Sequence, residues 1–249
     1  MSITFCMPSR NRAVGFVWQH LLLMVSLFLM TLGVVLCIKS DLGSSVISSL
    51  PLSCSLAGAE GSMPALSVGG YTIVMNFILV FLQILVLRKR FNPLQLFQLL
   101  IGFVFGWLID LNMVLTSGLV CESLLSKSVT QFAGCTVMGL GIALEVRCGS
   151  VTMPGEGLPV ALSRVTGVPF PKMKIVVDVI LVGLAVISCY VFFGKWVWNI
   201  IGPGTIFAMF YVGYFIRLLN PHLKWFDRLL AYQPGFRRYI VGLARLIYK

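Results

Sequence analysis

Residues 149–159 read GSVTMPGEGLP and interrupt a chain that otherwise consists of long apolar runs. The stretch contains three glycines, two prolines and the carboxylate of Glu156. Because proline lacks an amide N–H and glycine is conformationally permissive, we do not expect a helix to continue through it. The residues that follow, LPVALSRV, favour a new helix with Pro159 in its first turns. The pattern predicts a helix N-terminus with unpaired N–H groups and a partial positive charge. This helix N-terminus is predicted to face a substrate or an ion. The plainer alternative is that it faces solvent in a turn between membrane helices.

The composition is typical of a helical membrane protein. Hydrophobic residues make up 58% of the 249 residues, charged residues only 11%, and the mean hydropathy is +0.96. A soluble domain carries about 25% charged residues. Here the charges cluster between apolar runs long enough to cross the hydrocarbon layer, which takes about 20 helical residues. We therefore predict an all-α, polytopic membrane protein surrounded by the lipid bilayer.

Six apolar runs are predicted to span the membrane, and the more polar segment 39–70 is predicted to hold a short or re-entrant helix at 42–57. The predicted spans are residues 13–38, 71–87, 93–116, 131–146, 175–193 and 200–219. They divide the chain into a cytoplasmic lead (1–12), a first membrane repeat (13–116), an external loop (117–130), a second membrane repeat (131–219) and a basic tail (220–249).

The distribution of positive charge predicts the orientation. With six spans, only three of the 19 Lys and Arg residues lie on the side opposite the N-terminus, namely Lys39, Lys127 and Lys195. The positive-inside rule therefore predicts that both termini are cytoplasmic. The same effect accounts for the net charge of +11, so we do not predict nucleic-acid binding.

The order of elements occurs twice along the chain. LGVVLCIK (32–39) matches LGIALEVR (140–147), Leu50-Pro51 matches Leu158-Pro159, and IVMNFILV (73–80) matches IVVDVILV (175–182). Because each half has three spans, the two halves are predicted to be inserted with opposite orientation. Two broken segments at corresponding places of inverted halves are typical of a transporter site near the pseudo-two-fold axis. The plainer alternative is a duplicated scaffold.

Ionisable groups inside membrane spans cost roughly 3 kcal/mol on insertion scales, so we treat them as functional candidates. Asp178 of the second repeat matches Asn76 of the first, and the pair is predicted to coordinate an ion or a proton. The alternative is an interfacial Asp178 paired with Lys174, four residues earlier on the same helix face. Two further ionisable positions in the predicted spans are Glu145 and Asp110.

Glu156 is the carboxylate of the broken segment. It is predicted either to bind a cation or to complement the partial positive charge of the following helix. The flanking Gly155 and Gly157 belong to the same predicted site. Lys39 and Arg147 occupy matching helix ends, and Arg147 is a candidate for binding an anionic substrate group, although helix-end cations commonly only reach towards the interface.

Several classes of chemistry find no support. The seven cysteines are scattered without a CxxC pair, so no metal site is predicted, and a bridge between Cys54 and Cys121 is left open. The chain contains no Ser/His/Asp grouping, P-loop or HExxH motif. We therefore predict that it is not an enzyme and needs no cofactor.

The basic tail has a helical pattern of its own. Apolar residues recur at steps of three and four, and basic residues lie on another face: Phe236, Ile240, Leu243 and Ile247 against Arg238, Arg245 and Lys249. This pattern predicts an amphipathic helix on the anionic lipid headgroups of the cytoplasmic leaflet. The alternative is a loosely structured polybasic tail.

Two runs carry a resemblance to a known family. MPGEGLPVALSRVTGVPFPKMKIVVDVILV (153–182) and IGPGTIFAMFYVGYFIR (201–217) resemble the second half of the YczE/YitT-like family of bacterial integral membrane proteins. IKSDLG (38–43) resembles that family's lysine–small–Asp-Leu-Gly signature, which adds Asp41 to the candidate site; the family's following Pro-Trp-Asp is replaced here by Ser45-Val46-Ile47. The resemblance implies a bacterial inner-membrane protein with duplicated helices and, by analogy, a transporter.

Taken together, the sequence predicts a secondary transporter or permease for a small solute, with its site between the two repeats. Two rival hypotheses differ in class. One is a membrane accessory or regulatory protein whose tail recruits a partner, and the other is a small channel.

Overall fold

The computed structural model describes residues 9–88, 91, 93–148 and 153–230, and this part of the chain is helical between short connections. Its α-helices are α1 (Ser9–Lys39), α2 (Val46–Ala59), α3 (Val68–Leu87), α4 (Phe97–Leu115), α5 (Leu124–Cys148), α6 (Pro154–Thr166), α7 (Phe170–Phe193), α8 (Pro203–Leu219) and α9 (Lys224–Leu230). Short 3-10 helices at Pro93–Leu96 and Asn220–His222 precede α4 and α9.

Five of these helices are long and apolar enough to cross a membrane, and they make the chain a helical membrane protein. The stretches that qualify are Trp18–Lys39, Val68–Leu87, Phe97–Leu115, Leu124–Cys148 and Lys172–Phe193. The predicted sixth span corresponds to α8, which is apolar but has 17 residues. The six-span arrangement with inverted repeats therefore stays a prediction.

Two predicted boundaries are wrong. The external loop predicted at 117–130 ends earlier, because α5 begins at Leu124. The helix expected around Pro159 begins five residues sooner, at Pro154, so that Gly155, Glu156 and Gly157 are helical rather than part of a loop. Proline is well suited to the first helical position, where its missing N–H has no partner to lose, and Glu156 in the first turn complements the helix dipole.

The long helices α1 and α5 pack against each other in antiparallel orientation. Near one end, the Gln19 side chain donates a hydrogen bond to the Cys148 carbonyl, and at the other end Ser40 donates to Gln131 over 2.6 Å. Between these points Cys37 and Cys135 lie with their sulfur atoms 3.7 Å apart. The two helices are therefore in contact along most of their length.

Glycines bring the backbones of α1 and α5 together. A Cβ atom placed on Gly33 would lie 2.6 Å from the Gly134 carbonyl oxygen and 2.6 Å from the Met138 Cα. A Cβ on Gly141 would lie 2.7 Å from the Met30 Cα. Small residues allow such close approach, which is a common means of helix association in membranes.

Each short helix packs against a long helix that is distant in sequence. α2 packs against α7, and α6 packs against α3. α4 lies against α1 and α8 lies against α5, which places the α1–α5 pair at the centre of the described bundle. The last described helix, α9, is held at the end of α5, where Arg147 forms an ion pair with Asp227.

The glycine contact gives a stability prediction. We expect Gly33→Ala to lower the free energy of unfolding by about 1–3 kcal/mol, because the added methyl group meets backbone atoms of α5 and forces the helices apart. The matched control is Gly183→Ala in α7, where an added Cβ meets no atom within 4 Å; there the better helix propensity of alanine stabilises by up to about 1 kcal/mol. Thermal unfolding of the full chain in detergent measures both. Equal unfolding temperatures for the two variants would contradict the close α1–α5 packing.

Candidate functional site

The two short helices meet at their N-terminal turns. A Cβ on Gly155, the second residue of α6, would overlap Cδ1 of Ile47, the second residue of α2. Apolar side chains from four helices surround the contact, namely Met75 and Leu79 of α3, Leu158 of α6, and Val177 and Leu181 of α7, with Ile47 and Leu50 of α2 packed against them. The broken segments of the two halves therefore come together in the interior of the bundle.

Each short helix carries a proline at its sixth residue, Pro51 in α2 and Pro159 in α6. An interior proline has no N–H to donate to the carbonyl four residues earlier. Those carbonyls belong to Ile47 and Gly155, the two residues in contact. The meeting point thus holds two backbone acceptors that have lost their usual helical donor.

The chain enters α2 through a segment that is fixed to the start of α8. Gly43 has a φ of 118°, which favours glycine, and an added Cβ there would lie 2.6 Å from Gly202 N. On either side of it, the Gly204 N–H donates to the Leu42 carbonyl over 2.8 Å and the Ser44 N–H donates to the Ile200 carbonyl over 3.1 Å. These bonds hold the extended segment that leads to the N-terminus of α2.

Serines make the surroundings of α2 polar, and their hydroxyl groups are paired. The Ser45 and Ser48 hydroxyls lie 2.7 Å apart, and Ser188 of α7 donates to Ser53 over 2.7 Å. All four serines are buried. Satisfied hydroxyl groups of this kind stabilise contacts between helices in a membrane.

The surroundings of α6 are different, because three glutamines converge there. Gln83 of α3 and Gln98 of α4 reach Gly157, where an added Cβ would lie 2.6 Å from Gln83 Oε1 and 2.9 Å from Gln98 Oε1. Gln95 lies beside them in the 3-10 helix that precedes α4. The three side chains line a narrow cleft, which we call the amide cleft, together with Leu87, Gly157, Val160, Ala161 and Arg164.

The amides of this cleft are buried and incompletely paired. Gln83, Gln95 and Gln98 are 1%, 6% and 2% exposed. Gln83 donates to the Pro154 carbonyl over 3.3 Å, whereas Oε1 of Gln95 and Oε1 of Gln98 have no hydrogen-bond partner among the described residues. Buried polar atoms are nearly always paired in folded proteins, so two unpaired oxygens in one cleft need an explanation.

A charged cluster lies on the side of α6 that faces α7. Lys174 forms an ion pair with Asp178 at 3.0 Å, which agrees with the alternative reading of that aspartate. Glu156 of the short helix α6 interacts with both: burial raises the pKa of its carboxyl, the Lys174 ammonium partly offsets that shift, and Asp178 adds to it. Glu156, Lys174 and Asp178 therefore form one electrostatic group between α6 and α7.

Asn76 and Asp178, which are predicted to coordinate an ion or a proton together, do not bond to each other directly. Asn76 is 1% exposed and donates to the Gly102 carbonyl of α4 over 3.3 Å, and its Oδ1 has no partner among the described residues. Asp178 pairs with Lys174 instead. The two residues lie on α3 and α7, both of which border the α2–α6 contact through Met75 and Val177.

Glu145 is the most deeply buried carboxylate of the described residues. It is 5% exposed, its Oε2 has no hydrogen-bond partner among the described residues, and the Met153 N–H at the start of α6 interacts with its carboxylate electrostatically. Glu156 lies within electrostatic range of it. Glu145 thus connects the end of α5 to the N-terminus of α6.

Two other candidates from the sequence lie at helix ends. Asp41, with a φ of 61°, pairs with Lys127 at the start of α5 over 2.7 Å. Arg147 pairs with Asp227 of α9. The described contacts do not join either residue to Glu156. Cys54 and Cys121, for which a bridge was left open, are free thiols. The predicted amphipathic tail helix, beyond Leu230, lies outside the described residues.

Asp110 has a structural role at the start of α3. Its Oδ2 accepts from the Ser67 hydroxyl over 2.6 Å, and its Oδ1 accepts from the Gly69 N–H over 2.9 Å. Ser67, the N-cap residue of α3, in turn accepts from the Gly70 N–H. The carboxylate therefore satisfies the N-terminus of α3 from α4.

Sequence reasoning missed the amide cleft. The three glutamines are spread over the end of one helix and the start of the next, and neither a motif nor the repeat relates them. One signal was available, because three glutamines fall within residues 83–98 between two strongly apolar runs. Only the position of α6 shows that they face a common neighbour, Gly157.

Fold and site define a helical membrane protein with two short helices that meet in its interior beside a buried polar cleft. The chain belongs to DUF6198, a family of unknown function, and the match covers residues 17–221. It is also 29% identical over 135 residues to an uncharacterized protein, YyaS, of Bacillus subtilis. That similarity spans 54% of this chain and 63% of the relative. No solved structure matches the chain.

The cap on α3 gives a prediction that separates Asp110 from the site. We expect Asp110→Ala to lower the free energy of unfolding by about 1–2 kcal/mol, because the Ser67 and Gly69 donors lose their acceptor. Glu122→Ala, at an exposed position, serves as the control. Thermal unfolding in detergent is the measurement, and an unchanged unfolding temperature for Asp110→Ala would rule out the capping role.

Proposed function

We propose that the protein is a secondary transporter or permease for a small solute, with its site where α2 and α6 meet. One observation carries the proposal: the N-terminal turns of two short, proline-containing helices are in contact inside the bundle, at Ile47 and Gly155. Non-helical backbone at membrane depth is tolerated only where it is buried in protein or lines a cavity. Discontinuous helices of this kind form the substrate and ion sites of many transporters.

The packing supports a duplicated architecture. If the four helices α1 to α4 are matched in order with α5 to α8, the contact of α2 with α7 corresponds to the contact of α6 with α3. In the same way, the contact of α1 with α4 corresponds to the contact of α5 with α8. Both short helices have their proline at the same position, and the antiparallel α1–α5 pair lies between the halves. These relations favour two inverted repeats, each with three spans and one re-entrant helix. One difference stands out: α3 packs closely on α4, and α7 makes no comparable contact with α8 in the described residues.

The two carbonyls without a helical donor and the charged cluster suggest how ions contribute. Backbone carbonyls released from a helix coordinate Na⁺ in transporters with broken helices, and here the carbonyls of Ile47 and Gly155 have lost their helical donors. Glu156 lies in the same turn of α6, with Lys174 and Asp178 beside it. We therefore assign the α2–α6 contact and Glu156 to the binding of a coupling cation or proton.

The setting in the cell follows from the same proposal. The positive-inside pattern and the YczE/YitT-like resemblance favour a bacterial inner membrane with both termini in the cytoplasm. The basic tail then faces anionic lipid headgroups. Within this orientation Asp41, Lys39 and Lys127 lie at the external end, in agreement with the ion pair between Asp41 and Lys127.

Transport can be tested on the reconstituted full chain. We expect liposomes containing the protein to take up a solute in a screen with and without a proton or sodium gradient. Glu156→Gln and Asp178→Asn are expected to lower gradient-driven uptake at least tenfold, because they remove the charges beside the meeting point. Glu60→Gln, at an exposed position, is the matched control and should leave uptake unchanged.

The outcomes separate the three functional hypotheses. Absence of uptake for every solute, together with no effect of either site variant on a cellular phenotype, would refute the transporter hypothesis. Loss of that phenotype on deleting 221–249 alone would favour the accessory protein. A solute flux that does not saturate with solute concentration and is not changed by a proton or sodium gradient would favour a channel.

The prolines allow a sharper experiment. We expect Pro159→Ala to return a helical donor to the Gly155 carbonyl and to raise the unfolding temperature, because an interior proline costs about 3 kcal/mol in a regular helix. Gradient coupling is expected to fall at the same time. A variant that is more stable and transports with unchanged ion dependence would show that the Gly155 carbonyl is not an ion ligand.

A further inference from the structure

We propose that Glu145 is a proton-binding site, and that a proton shared between Glu145 and Glu156 is the coupling ion of the transporter. The inference rests on the proposed function for its link to transport, and it narrows the coupling ion to one. It starts from the burial of Glu145 between the end of α5 and the start of α6, and from a carboxyl oxygen that has no partner.

The surroundings of Glu145 leave a negative charge there without compensation. The side chain is 5% exposed, and its Oε2 has no hydrogen-bond partner among the described residues. No ion pair joins it to a basic residue in the described part of the chain, and Arg147, two residues later, pairs with Asp227 of α9. An ionised carboxylate without a partner costs far more to bury than a neutral carboxyl group. A bound proton removes that cost.

The titratable groups near Glu145 favour a proton as well. Glu156, in the first turn of α6, is a second acid within electrostatic range. Two carboxylates that share one site disfavour each other's ionised form. Cys148 is the titratable neighbour on α5. On α1, Gln19 bonds to the Cys148 carbonyl and His20 follows it in the chain, so the histidine lies at the same end of the bundle.

A role as a helix cap does not account for Glu145. Asp110 caps α3 from a neighbouring helix, and each of its oxygens has a donor, the Ser67 hydroxyl or the Gly69 N–H. Glu145 has a similar relation to α6, because the Met153 N–H interacts with its carboxylate electrostatically. Its Oε2 is nevertheless unpaired in the described part of the chain. Capping therefore leaves half of the carboxyl group unexplained.

Helix packing does not require an acid at this position either. In the matching segments LGVVLCIK and LGIALEVR, Cys37 of α1 corresponds to Glu145 of α5. Cys37 is fully buried, and its sulfur atom lies 3.7 Å from that of Cys135. A small, weakly polar side chain thus fills the corresponding place in the first half. The carboxyl group in the second half is a separate feature, and proton binding gives it a role.

A proton suits the two acids better than a metal ion does. The hard cations that carboxylates bind take about six to eight oxygen ligands. Among the described residues no group of three or more His, Cys, Asp or Glu side chains could hold a metal. A proton needs a single oxygen. When it passes from Glu145 to Glu156, the first group becomes a carboxylate and the second becomes neutral, so the total charge is unchanged. Chains of acidic groups inside a membrane carry protons in pumps and transporters.

The bound proton is tested first, apart from transport, by infrared spectroscopy. The full chain is measured at neutral pH in a detergent that has neither ester nor carboxyl groups. A protonated carboxyl group has a C=O stretching band that a carboxylate lacks and that shifts in heavy water. We expect the wild-type protein to show this band and Glu145→Gln to lose it. Glu122→Gln, at an exposed position, is the matched control and should keep it.

Two infrared results would overturn the inference. One is a spectrum in which no protonated carboxyl band depends on Glu145. The other is a band that Glu145→Gln keeps and Glu156→Gln loses, which would place the proton on Glu156 alone.

The stability of the variants distinguishes a proton site from an ionised cap. Glutamine has the shape of a neutral carboxyl group, so we expect Glu145→Gln to keep the unfolding temperature of the wild-type protein. Asp110→Asn is the contrasting variant and should lower it, because the Ser67 hydroxyl and the Gly69 N–H lose a charged acceptor. If Glu145→Gln is destabilised as much as Asp110→Asn, the carboxylate is an ionised structural group and the inference fails.

Flux measurements then separate this inference from the proposed function. For a transported solute, we expect Glu145→Gln to lower proton-driven uptake at least tenfold. Exchange of labelled for unlabelled solute should stay within about twofold, because exchange needs no net movement of protons. Loss of the infrared band in Glu145→Gln without transport of any solute would uphold the proton site and refute the transporter hypothesis. Uptake that is driven by a sodium gradient and unchanged in Glu145→Gln would confirm transport and overturn the proton as its coupling ion.

Discussion

The close backbone contact between α1 and α5 is the constraint on which the other helices depend. Without a strong hydrophobic drive between helices in lipid, association relies on van der Waals packing and interhelical hydrogen bonds. Gly33 and Gly134 allow such packing, and the hydrogen bonds of Gln19 and Ser40 fix the antiparallel register. α4 and α8 then attach to the outside of this pair, and the short helices fill the space that remains against α7 and α3.

The polar groups around the two short helices differ in a way that bears on function. Around α2, serine hydroxyls pair with each other and with the backbone, so their burial is compatible with a fixed structure. Around α6, the Oε1 atoms of Gln95 and Gln98 and one oxygen of Glu145 have no partner in the described part of the chain. Because an unpaired buried group is costly, the second arrangement is the one that function can explain. The surroundings of the two short helices thus differ in their chemistry.

Much of the fold could be predicted from the sequence, and less of the site. The long apolar runs predicted a helical membrane protein, and the matching LGVVLCIK and LGIALEVR segments indicated α1 and α5. Both signals can be recognised from neighbouring residues alone. The start of α6 was misplaced, because Pro154 can open a helix as readily as Pro159 can follow one. The alignment of the repeats predicts Asp178 and Asn76 as a pair, but Asp178 pairs with Lys174 on its own helix and Asn76 donates to the Gly102 carbonyl of α4. The glutamine cluster depends on the packing of α6 on α3, which is a tertiary relation that no local pattern encodes.

The exchange of short helices has a consequence for the integrity of the chain. α2 packs on α7 and also on its neighbour α3, and α6 packs on α3 and also on its neighbour α7, so each short helix is covered partly from its own side of the 117–123 connection and partly from the other. If the polypeptide were severed in that connection, each fragment would uncover the part of its proline-containing helix that the other fragment covers. Two such fragments in one bilayer would therefore associate again through these complementary surfaces.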